Sequence, residues 1–82
     1  MFLHNIFFPP QGVLKPLMRL ADSKEAEIRR EVSRAFALFA SKRDSHAALV
    51  RSRAAARIMT FLSDTDEIAQ RYGVLGIRHT YI

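Results

Sequence analysis

Sliding the sequence along itself by 41 residues lays a short apolar segment, a polar break and a long amphipathic segment onto their own likenesses without a gap. No other feature constrains the fold as much. Leu17 falls on Ile58, Met18 on Met59, Leu20 on Phe61, and the break Asp22-Ser23 on Ser63-Asp64. Further along, Arg30 falls on Arg71, Val32 on Gly73, Ala35 on Gly76 and Phe36 on Ile77. Two amphipathic helices can align by chance, but three successive features at one offset do so far less readily. A period near forty residues points to supersecondary units stacked side by side, each needing its neighbour to bury its apolar face.

The local patterns fit helices throughout. Gly12 opens an apolar run (Val13, Leu14, Leu17, Met18, Leu20, Ala21) that predicts a short helix with Pro16 near its first turn, where a missing amide costs little. Asp22 and Ser23 supply a break and a cap, with Glu25 as a capping-box partner, so a second helix is predicted from about Lys24. Its apolar residues Ile28, Val32, Ala35, Phe36, Phe39 and Ala40 recur at helical spacing and form one stripe. After the polar loop Ser41–Asp44, Ser45 is placed to cap a short helix through Val50. Another short helix, Ala54 to Leu62, should turn Ile58, Met59, Phe61 and Leu62 inward. Asp64 with Glu67 reads as the next capping box, ahead of a last helix from about Asp66 to His79. Its inward stripe is Ala69, Gly73, Gly76, Ile77, Thr80 and Tyr81. A second apolar set on it, Ile68, Tyr72 and Leu75, has no polar cover.

A repeat of this length and build resembles the armadillo family. Gly12 resembles the glycine at that family's sharp turn between first and second helices, and Pro16-Leu17 its Pro-Leu pair. Ala35-Phe36 and Gly76-Ile77 resemble the small-then-large pair of its third helix, and Gln70 to Leu75 the start of that helix. Arg53 stands where the second glycine would be. The resemblance implies an all-α, right-handed superhelical solenoid of armadillo-like repeats, or HEAT-like ones with two helices per unit. On that reading, residues 1–11 are a non-repeat N-terminal extension, 12–44 a repeat lacking its first helix, and 45–82 a second repeat, open to truncation at its end.

Composition sets limits on function. With 82 residues, 49% hydrophobic and 26% charged, the chain has the balance of a soluble protein with a marginal core. About three repeats are usually needed for a stable stack, so further helical repeats or self-association are expected. Cysteine is absent, which excludes disulfides, thiolate metal sites and a cysteine nucleophile. Met1 to Gln11 lacks the basic start and cleavage site of a secretory signal, and no apolar stretch approaches the roughly 18 residues of a spanning helix. An intracellular location, cytoplasmic or nuclear, is the expectation.

Catalytic groups do not converge in the sequence. His4, His46 and His79 lie far apart, and the glycines Gly12, Gly73 and Gly76 form no phosphate loop. The expectation is a non-enzymatic interaction scaffold, without metal or cofactor. In the armadillo arrangement the exposed side of the long helices lines a groove, which here would carry Arg30, Arg34 and Leu38 beside Arg71, Leu75 and His79. The family's groove asparagine is replaced by Leu38 and by His79, and the tryptophan of its importin-α branch by Arg34 and Leu75, so a tryptophan-asparagine ladder for a nuclear-localisation peptide is not expected. Two arginines above a leucine suit an extended acidic peptide with an apolar anchor. The net charge of +5 resides in the stretch from Lys24 to Arg57, which leaves an alternative function. That alternative is a small basic helical domain binding nucleic acid, with Asp44–Ala54 as its helix and Arg51, Arg53 and Arg57 on phosphates.

Overall fold

A computed structural model describes the backbone of residues 11–51 and 53–81. Except for Gln11, the expected extension 1–11, with His4, lies outside the described residues. Five α-helices follow in order: α1 (Gln11–Leu20), α2 (Ala26–Ala40), α3 (His46–Arg51), α4 (Ala54–Thr60) and α5 (Glu67–Tyr81). Single 3-10 turns, Arg43–Ser45 and Phe61–Ser63, precede α3 and follow α4. No strand occurs among the described residues. The all-α expectation is therefore met.

The two long helices each have 15 residues, and both their ends are displaced by 41 positions. The corners leading into them are built alike. Before α2, the Ser23 amide donates to the Leu20 carbonyl and the Arg29 amide to the Glu25 carbonyl; before α5, Asp64 donates to Phe61 and Gln70 to Asp66. Between these bonds the Glu25 amide donates to the Ser23 hydroxyl (3.1 Å), and the Asp66 amide to the Asp64 carboxylate (2.8 Å). A short oxygen-bearing side chain that accepts from the amide two residues on mimics a backbone turn, and this closes both corners.

Several local expectations are corrected. Pro16 sits well inside α1, where it withholds an amide from the Gly12 carbonyl; Gly12 itself is helical and makes no sharp turn. Helix α2 starts at Ala26, and Glu25 precedes it without a side-chain cap, because Asp22 reaches across to Arg57 instead of capping. For α5 the cap is Asp66, whose carboxylate accepts from the Ala69 amide (2.9 Å), three residues into the helix. Ser45, buried, ends the 3-10 turn and directly precedes α3, at the place expected for it. Arg53, ahead of α4, has φ 61° and ψ 24°, the left-handed conformation that favours glycine, and it is the sole positive-φ residue among those described. The sharp turn expected at Gly12 is thus found 41 residues later, on an arginine.

Leu14, Val32, Phe36, Phe39, Leu49, Ile58 and Phe61 make the core, with Ala21, Ala40, Ala54 and Ala69 filling between them. The rings of Phe36 and Phe61 lie 6.3 Å apart at 52°, a tilted pairing that aromatic quadrupoles favour. Helix α2 is buried on two sides. Its predicted stripe packs toward α1, α3 and Phe61 in the second 3-10 turn, while Ser33 and Ala37, also buried, face α5. Small residues let α5 come close. A Cβ on Gly73 would lie 2.7 Å from the Cβ of Phe61, and one on Gly76 would lie 3.0 Å from Ile58 Cγ2 and 3.7 Å from Ala37 Cα. Tyr81, expected inward, is exposed at the end of α5, and Met59 on α4 is exposed as well.

Helices α2 and α5 run parallel, as their contacts establish from end to end. At their N-terminal ends Arg29 meets Asp64 (2.9 Å) and Arg30 meets Asp66 (2.9 Å). One turn on, the buried Ser33 hydroxyl donates to the Ala69 carbonyl (2.8 Å), and beyond it Ala37 faces Gly76. Arg29 also donates to the carbonyls of Ser23 and Lys24 (both 3.0 Å), so one guanidinium serves both corners.

Candidate partner-binding cleft

Because α2 and α5 lie parallel with small residues between them, their outer edges leave a shallow furrow open to solvent. Near the C-terminal half of both helices it widens into a cleft of about 320 Å³. Helix α2 supplies Arg34, Ala37 and Leu38, and α5 supplies Tyr72, Leu75 and His79, with Ser41 at the end. Positions 34 and 38 on one helix, and 72, 75 and 79 on the other, are spaced at one turn, which puts each set along one edge. Leu38 is 38% exposed and Leu75 40%. The floor is therefore apolar and wet, with a cation at its rim.

Of the groove residues expected from the sequence, Arg34, Leu38, Leu75 and His79 come together here. Arg30 and Arg71 do not line the cleft. The Arg30 guanidinium lies over Asp66, donating from Nε to both carboxylate oxygens (2.9 and 3.0 Å), which makes it a tie between the helices. Arg71 lies on the exposed face of α5, paired one turn back with Glu67 (2.8 Å). Arg34 is the cation left facing the cleft: its contact with Glu31 is long (3.8 Å), and both side chains are more than half exposed. Exposed pairs of this kind contribute little, so Arg34 can exchange Glu31 for another carboxylate. Ala37, Tyr72 and Ser41 were not foreseen as lining residues. Tyr72 carried a signal as part of the uncovered apolar set, whereas Ser41 had none beyond its place in the loop.

Electrostatics divide the helix pair into a fixed end and an adaptable one. The Arg29 guanidinium, through its hydrogen bond, holds the Asp64 carboxyl below the ordinary carboxylate range, with the Asp66 amide adding to the effect and partial burial opposing it. Arg30 does the same for Asp66, helped by the Ala69 amide. Both acids belong to the joint between helices, remote from the cleft. Among the described residues no three His, Cys, Asp or Glu side chains gather as a metal site. His46 has a structural contact: a ring nitrogen meets the carbonyl of Ala40, the end of α2, where carbonyls lack helical partners.

The basic residues considered for nucleic acid are differently placed. Arg57 is paired with Asp22, while Arg51 and Arg53 are exposed at the corner between α3 and α4. At six residues, α3 is less than two full turns, too short to lie along a groove with several side chains on base edges. No helix among the described residues is long and apolar enough to cross a membrane. No protein-family model, curated protein or solved structure matches the chain.

Proposed function

We propose that this chain is a non-enzymatic protein-binding scaffold, an armadillo-like solenoid of two helical units whose α2–α5 cleft holds an extended, acidic segment of a partner protein. The parallel packing of the two long helices is the observation that carries this reading. Parallel neighbours displaced by a constant 41 residues, with like-built corners, are what successive units of one stack present. Stacking of that kind sets equivalent outer edges side by side, and the strip between them suits a ligand without structure of its own.

The chemistry of the strip selects its ligand. Leu38 and Leu75 offer an apolar floor for one anchoring side chain, Arg34 a planar donor for a carboxylate beside it, and His79 a further polar contact at the far edge. Arg30 takes no part in recognition on this reading, since it is already committed to Asp66. The test is fluorescence anisotropy with a labelled glutamate-rich peptide carrying a single leucine. Binding should weaken as salt rises, and Arg34→Glu and Leu75→Glu should each reduce affinity at least about tenfold while the helical circular dichroism stays unchanged. Equal binding by wild type and both variants would end the proposal.

A further inference from the structure

The α2–α5 joint uses the inner edge of each long helix, and each helix has an opposite edge that the described residues leave open. On α5 the open edge exposes Val74 (47%) and Arg71. On the other side of the molecule, α1 and α2 leave an apolar cleft that includes Leu17, Leu20 and Ile28 with Glu31 at its margin; Leu20 is 47% exposed. These two faces differ from each other, but each matches a partner already seen inside the fold.

Moving the joint on by one unit makes the match explicit. Adding 41 to the α2 member of each internal contact, and subtracting 41 from its partner, gives the contacts that a following unit would make. Arg30–Asp66 becomes Arg71 against Glu25, again a cation against an acid. The Phe36–Phe61 ring pair becomes Ile77 against Leu20, and the Ser33–Ala69 contact becomes Val74 against Ile28, both apolar on apolar. Charge sign is thus kept at Arg71–Glu25 and apolarity at Ile77–Leu20, while the Ser33 hydrogen bond gives way to an apolar pair, Arg29–Asp64 to the uncharged pair Gln70 and Ser23, and Ala37–Gly76 to Arg78 against Ala35. A chain of 82 residues could present two arbitrary open faces, but at Arg71–Glu25, Ile77–Leu20 and Val74–Ile28 these two complement one another in the register of the joint between them.

We infer that this chain associates head to tail with copies of itself, the open edge of α5 in one copy seated on the α1–α2 face of the next and repeating the internal α2–α5 joint. Such an interface is heterologous and leaves a free end after every addition, so the assembly is an open series of oligomers that lengthens with concentration. The inference shares with the proposed function the premise of equivalent units. It concerns the two ends of the stack, so its failure leaves peptide binding in the cleft intact, and the reverse also holds.

Analytical ultracentrifugation of the full chain over a wide concentration range provides the test. The wild type should exceed dimer mass as concentration rises. Leu20→Glu blocks one face and Val74→Glu the other; both substitutions fall on half-exposed residues, so helical circular dichroism should be retained. Each variant alone should be monomeric. Mixed in equal amounts they should form a 1:1 dimer that grows no further, because each retains the face that the other lacks. Glu25→Arg and Arg71→Glu should each weaken association about tenfold or more, and combining both changes in one chain should restore it. A wild type monomeric up to about 1 mM overturns the inference. So does an assembly that Val74→Glu abolishes and Leu20→Glu leaves untouched, since that pattern belongs to a symmetric α5 pair.

Discussion

Replacing Gly73 with alanine tests how tightly α5 is seated. In a free helix the change would stabilise by about 1 kcal/mol, since glycine is the poorest helix former after proline. Here the new methyl would meet Phe61 Cβ at 2.7 Å and the Phe61 carbonyl carbon at 3.3 Å. Neither atom can swing aside: one is fixed to the backbone, the other belongs to it, and the ring beyond them is wedged against Phe36. Relief requires α5 to back away by about 0.7 Å, opening the contacts of Ala69 and Gly76 as well; overpacking of this order costs about 1–3 kcal/mol. With the propensity gain subtracted, Gly73→Ala should destabilise by about 1 kcal/mol. Gly76→Ala is the internal control. Its methyl meets the end of the Ile58 side chain at 3.0 Å, a neighbour able to give by a few tenths of an ångström, so propensity should offset the contact and leave stability within about 0.5 kcal/mol of wild type. Urea unfolding followed by circular dichroism reads both, provided the denaturant slope stays constant. If both variants gain about 1 kcal/mol, propensity alone governs the helix and the seating of α5 on Phe61 is refuted.

Arg53→Gly should raise the melting temperature by about 2–6 °C, because glycine removes the left-handed strain at φ 61° at some cost in unfolded-chain entropy; Arg53→Ala, still strained, should show no such gain. Ser33→Ala should cost about 1 kcal/mol in urea unfolding by deleting the buried hydroxyl's bond to the Ala69 carbonyl. Acid should weaken the fold. Asp64 and Asp66 have folded-state pKa values below the ordinary 3.8, so their contribution is fully present above that value and is lost as pH falls through the lower folded values. Asp64→Asn should therefore be less stable than wild type at neutral pH and lose less on acidification below about pH 4, as measured by urea midpoints.

How much of this was legible in the sequence depends on the range of the interaction. The stripe of Val32, Phe36 and Phe39 and the break at Asp22-Ser23 announce themselves locally, through period and polarity, and the structure keeps both, although α2 starts two residues later than expected and without a side-chain cap. Ser33 and Ala37 did not, since a helix held between two neighbours buries a second face, and small residues there look like solvent positions until Ala69 is set opposite Ser33 and Gly76 opposite Ala37. At the second corner, Ser63, Asp64 and Asp66 are all competent caps; Asp66, which directly precedes α5, takes the role, while Asp64 closes the turn before it and pairs with Arg29, thirty-five residues away. The same kind of remote pairing removed Arg30 from the expected groove, whereas Arg34, Leu38, Leu75 and His79 reached one cleft because helical spacing alone fixes their edge. Arg53 gave no positive sign at all: a non-glycine residue in a left-handed turn is dictated by the helices it joins.

The Arg29 guanidinium has a consequence for how the molecule comes apart. A linear stack of the kind proposed would tend to fray from its ends, one unit at a time. Here a single cation grips the carbonyls of Ser23 and Lys24 and the carboxylate of Asp64 together, so loosening the bend before α2 robs the bend before α5 of its counter-ion. The clasp makes the two elbows a shared fastening, and the expected outcome is a single unfolding transition in which neither half outlives the other.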